Sequence, residues 1–93
     1  MVEFLLLIED MFKIKGRGYV ATGVVSHGPL CVNDRVWVCT ASADLTFRIV
    51  AIESESASIE RAERGERVGV LLEGESAELL ERGHALCREP ILV

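Results

Sequence analysis

Turn residues cut this chain at short intervals, and the runs between them are apolar and rich in β-branched side chains. Lys15-Gly16-Arg17-Gly18, Gly28-Pro29, Asn33-Asp34 and Glu63-Arg64-Gly65-Glu66 each interrupt the pattern. Glycine permits the positive φ of a tight reversal, and proline ends regular strand pairing. Short alternating runs with dense punctuation suit an all-β barrel or sandwich.

The spacing predicts strands over 3–8, 11–14 and 19–26, a short bridge over 30–32, and a strand over 35–40. The longest candidate covers 45–54, with Leu45, Phe47, Ile49 and Ala51 on one face. Its apolar residues then change phase to Val50 and Ile52, which predicts a bulge. A weak strand over 56–61 and a clear one over 67–72 follow, the latter with Val68, Val70 and Leu72 on one side. One short helix is expected over 76–81, capped by Ser76, with Leu79 and Leu80 inward and Gly83 ending it. Residues 84–87 complete the set, and Pro90 stops regular pairing.

The 93 residues are 49% hydrophobic with net charge −5, enough apolar content for one packed domain over 1–93. The excess acid lies entirely in the second half: residues 1–50 carry five basic and five acidic side chains, residues 51–93 five and ten. The basic cluster Lys13, Lys15 and Arg17 sits on one turn, where it could reach RNA phosphates or simply be solvated. No apolar stretch reaches membrane-spanning length, and the N-terminus lacks the features of a signal peptide, so the expected location is cytoplasmic with no membrane partner. Cys31, Cys39 and Cys87 form no metal-ligand spacing and are expected as reduced thiols, with no metal and no cofactor.

Three stretches resemble the second domain of translational GTPases, elongation factor Tu in particular. They are Phe4 through Gly23, the turn Asn33-Asp34-Arg35-Val36, and Arg64 through Leu72 followed by Glu81 through Cys87. They occur in the family's order and cover nearly the whole chain. The resemblance implies a small closed antiparallel Greek-key β-barrel of translation-factor domain 2 type, with at most one short helix. Closure would remove exposed strand edges. Gly23, in mid-strand, marks a bend or a close backbone approach.

In that family a shallow pocket outside the barrel holds the aminoacyl (CCA) end of tRNA. The matching positions here are Glu9, Asp10, Phe12, Val20, Thr22, Glu53, Arg67 and Leu71. An aromatic ring beside apolar side chains offers stacking, and carboxylates accept hydrogen bonds. If Leu71 faces that pocket, Val68, Val70 and Leu72 face inward. Arg67 replaces a family asparagine, Val24 an arginine and Leu7 a proline, which weakens direct transfer of the tRNA role.

The P-loop pattern is absent, so this chain alone has no GTPase domain and no expected GTP binding. No nucleophile–base constellation stands out, and the expectation is a non-catalytic protein. The apolar run Phe4, Leu5, Leu6, Leu7 and Ile8 has a second consequence. Strict alternation would bury one face and leave either Leu5 and Leu7, or Phe4, Leu6 and Ile8, as a protein interface. Trp37 reads as a packing residue.

Three functions follow. The first is a stand-alone module acting through protein contacts, with itself or with a GTPase or ribosome-associated partner. The second is RNA binding, to the tRNA end or ribosomal RNA. The third is an accessory domain of a longer GTP-dependent factor. A start at Met1 favours a complete short reading frame, and the acidic second half favours protein partners.

Overall fold

A computed structural model describes residues 4–38, 45–55, 57–75 and 77–88. Its strands are β1 (Phe4–Leu7), β2 (Asp10–Ile14), β3 (Gly18–Val24), β4 (Leu30–Cys31), β5 (Arg35–Val38), β6 (Thr46–Glu53), β7 (Ser58–Ile59), β8 (Arg61–Ala62), β9 (Arg67–Glu73) and β10 (Ala85–Cys87). The main sheet runs β1-β10-β5-β6-β9-β3-β2, with β7 added to β6, and β4 pairs with β8. Every pairing is antiparallel.

Four turns share one design. The N–H groups of Arg17, Asp34, Glu66 and His84 donate to the carbonyls of Ile14, Cys31, Glu63 and Glu81, three residues back. The third residue of each turn has positive φ: Gly16, Asn33, Gly65 and Gly83. That conformation favours glycine or asparagine, which explains the punctuation. At Asn33 the Asp34 carboxylate also accepts from the Cys31 N–H at 2.9 Å, fixing the turn from inside.

The inner face of the sheet is a continuous apolar core. Leu5, Leu6, Ile8, Val36, Phe47, Ile49, Ile52, Val70 and Leu86 are essentially sealed from solvent. The expected bulge in β6 lies between Ile49 and Ala51, where the register against β9 shifts. It turns Ile49 and Ile52 both inward, as the phase change in the sequence predicted.

The first strand departs from expectation. Strict alternation fails because a register shift between Phe4 and Leu6 breaks the pleat against β10. Leu5 and Leu6 are therefore both buried, together with Ile8, and cannot serve as an interface. Only Phe4 at 46% and Leu7 at 48% exposure remain outside.

Among the described residues the strand ladder does not run full circle, so it does not by itself establish the expected closed barrel: β1 and β2 are its two ends. The chain turns a corner at Ile8-Glu9. Ile8 N–H donates to the His84 carbonyl on the β10 side, whereas Glu9 N–H donates to the Thr22 carbonyl on the β3 side. Before that corner β1 touches the chain just after β3 through an isolated bridge, Leu6 with Val25, and through Ser26 N–H donating to the Leu5 carbonyl. Gly23 lies where the two strands cross. A Cβ built there would stand 2.3 Å from the Leu7 carbonyl oxygen, the close approach foreseen for this glycine.

The expected weak strand at 56–61 divides into β7 and β8, which pair with different neighbours. The short helix is a single 3-10 turn at Ala77–Leu79. Leu80 is buried as expected, but Leu79 is exposed, because one such turn can direct only one of two adjacent leucines inward. Ser76, Cys39 and the strand end at 39–40 lie outside the described residues, as does Pro90. Cys31 is free, but Cys87 is disulfide-bonded, which corrects the expectation of reduced thiols for this residue. Among the described residues no helix is long and apolar enough to cross a membrane.

Candidate binding face

Four strands, β2, β3, β9 and β6, lie side by side and present one outer face. Their registers align a row of side chains across it: Phe12 opposite Val20, Val20 opposite Leu71, and Leu71 opposite Ala51. The next row on the same face is polar: Asp10, Thr22, Gly69 and Glu53. Between them runs the inward row Met11, Ala21, Val70 and Ile52, which belongs to the core. The two-residue period of a strand thus places the apolar and polar outer rows next to each other.

Gly69 makes a notch in this face. A Cβ there would meet Val20 Cγ1 at 3.2 Å and Thr22 Cγ2 at 3.7 Å, so the space belongs to neighbouring side chains only while position 69 is bare. A hollow of about 150 Å³ results, floored by Val20, Ala51, Gly69 and Leu71 and walled by Ile14, Arg17 and Glu53. A second hollow of about 260 Å³ adjoins it through Glu53 and Gly69, and is lined by Glu9, Asp10, Thr22 and Arg67 among others. Leu71 points outward as expected, although its neighbours cover most of it.

Charges rim the face in pairs. Arg17 faces Glu53 across the smaller hollow at 3.9 Å, and Arg67 pairs with Glu9. Arg82 donates to Asp10 Oδ1 at 2.9 Å and to the Glu9 carbonyl at 2.8 Å, pinning the β1–β2 corner. The hydrogen bond to Asp10, and then its charge, push the pKa of Arg82 above its ordinary value. All these groups are solvated, where ion pairs contribute little to stability. Arg82→Ala is therefore expected to leave the thermal midpoint nearly unchanged, as a melting curve would show, while freeing Asp10 to accept from a ligand.

The structure brings Val20, Glu53 and Leu71 into one hollow and Glu9, Asp10, Thr22, Glu53 and Arg67 into its neighbour. Phe12 lines neither; it stands at the edge of the face, 52% exposed. Of the basic cluster, Arg17 reaches the hollow, while Lys13 lies 6.0 Å from the centre of the Tyr19 ring. Lys15 is an exposed turn residue, and Trp37 is half-buried between Thr46 and Cys87 in register. Sequence reasoning missed Ile14, Ala51, Gly69 and Arg82. A glycine between two valines in β9 was a readable signal for the notch. Arg82 had none, since it meets Asp10 only through folding.

No family model matches the sequence. Among solved structures, the chain superposes on translation elongation factor SelB from Methanococcus maripaludis in its apo form, with a TM-score of 0.82 and 29% identity over 92% of this chain. The chain is similar to a translation-factor β-barrel domain. It spans 18% of the SelB chain. The likeness therefore concerns one domain-sized part, and the similarity to elongation factor Tu in particular rests on the motifs alone.

Proposed function

We propose that this chain is a non-catalytic binding module of the translation apparatus, acting in the cytoplasm through protein contacts made by the outer face of β2, β3, β9 and β6. The observation that carries this reading is the apolar row on that face, which ends in Phe12, 52% exposed, with Ile14, 37% exposed, two residues along the same terminal strand. Exposed apolar side chains that continue into an apolar-floored hollow form the kind of patch that partners cover. The net charge of −5 favours a protein over a polyphosphate partner. The same face is open to a GTPase or ribosome-associated protein whether the chain acts alone or within a longer factor.

The Gly69 notch favours a second reading, in which the hollow receives the terminal base of an RNA such as a CCA end. A flat ring could rest on Val20 and Leu71 with Glu53 accepting from its amino or hydroxyl groups. Titration with a short CCA-ended RNA at two salt concentrations separates the two readings. The protein-contact reading predicts no saturable binding at low salt. Saturable binding that Gly69→Val abolishes would replace it with the RNA reading.

A further inference from the structure

We infer that β2 is a self-complementary edge at which two copies of this chain pair as antiparallel strands. This rests on reading the outer face as a protein-contact surface, and it names a second copy as one partner.

β2 ends the main sheet, and no described strand pairs with its far side. Every residue of β2 is exposed except Met11, which is half-buried. An edge strand carries unsatisfied N–H and C=O groups along its length, and an extended partner can satisfy them. With a two-fold axis perpendicular to the sheet, antiparallel pairing keeps outer side chains on the outer face.

Register then decides the matter. Centring the axis on Phe12 sets Phe12 against Phe12 of the second copy, Lys13 against Met11, Ile14 against Asp10, and Lys15 beside Glu9. The most exposed aromatic on this face gains an aromatic cross-strand neighbour, a favourable pairing. Each end of the interface gains an opposite-charge pair, and symmetry makes it two. Centring on Lys13 instead opposes lysine with lysine on the axis, and centring on Met11, although it sets Lys13 against Glu9, leaves each Phe12, the most exposed apolar side chain of β2, against Asp10. Only the Phe12-centred register sets ring against ring while placing an opposite-charge pair at each end. A five-residue strand makes a small interface, so the dimer is weak and exchanges rapidly.

Sedimentation equilibrium across a wide concentration range tests this with the full chain. Wild type is expected to show a reversible monomer–dimer equilibrium. Phe12→Lys, which places like charges on the axis, is expected to abolish the dimer while the circular dichroism spectrum is retained. Lys15→Glu weakens association roughly tenfold, since both symmetric ion pairs become repulsive. Adding Glu9→Lys to that variant restores the dimer, even though the Glu9–Arg67 pair within each copy is lost. A wild-type chain that stays monomeric up to millimolar concentration, or a dimer indifferent to Phe12→Lys, overturns the inference. A monomer that still captures another translation protein through this face leaves the broader reading standing, so the two failures are distinguishable.

Discussion

Gly23→Ala is expected to destabilise the protein by about 3 kcal/mol, at the upper end of the usual cost of overpacking a filled interior. The added methyl would lie 2.3 Å from the Leu7 carbonyl oxygen and 3.1 Å from Leu6 Cδ2. Neither neighbour can withdraw easily. The Leu5 and Ile8 carbonyls already accept from Ser26 and Gly83, so the strand is held on both sides of the contact. Urea denaturation should show a lower midpoint with an unchanged slope. Gly16→Ala is the control. Nothing lies within 4 Å of its Cβ position, but its φ is +79°, so only the backbone penalty of roughly 1–2 kcal/mol applies. Equal losses at the two positions would mean that β1 and β3 do not cross closely at Gly23.

Phe47→Ala is expected to cost about 3–5 kcal/mol, comparable with the whole stability of a small domain. Phe47 is the largest fully buried side chain, and it sits on β6 opposite Val36. Its ring also closes the space over Gly74, where a Cβ would come within 2.7 Å of Cδ1. Deleting the ring opens a void in the middle of the sheet that flanking strands, hydrogen-bonded on both sides, cannot collapse to fill. Phe4→Ala removes the same side chain from a half-exposed position and should change stability by roughly 0.5 kcal/mol or less. Thermal melting of the two variants side by side would reveal the contrast.

Much of this architecture could be read in the residues because strands write their period and turns write their glycines. The turns at Gly16, Asn33 and Gly65, the β6 bulge and the crossing at Gly23 all had visible causes, whereas Gly83 had been expected to end a helix. What failed had non-local causes. A bulge in β1 put Leu5 and Leu6 inside together, which alternation alone cannot predict. The corner at Ile8-Glu9, where the chain passes from the His84 side to the Thr22 side, was equally unannounced. Phe12, Val20 and Leu71 were named from the family resemblance; the two-residue period added only that Leu71 faces away from Val68, Val70 and Leu72, and the rows across the face needed the strand register. Arg82 was invisible, since nothing near it in sequence announces Asp10 as its partner.

The central claim is that the outer face of β2, β3, β9 and β6 is a protein-contact surface in translation. Photo-crosslinking from position 12 tests it most directly, with position 79, an exposed apolar residue of the 3-10 turn outside those four strands, as the control. A photoreactive phenylalanine analogue at each site would be irradiated in cell extract and the products identified by mass. The account predicts protein products from position 12, either a translation protein or a second copy of the chain, and none of these from position 79. RNA products alone from position 12, or the same proteins from both positions, would contradict it.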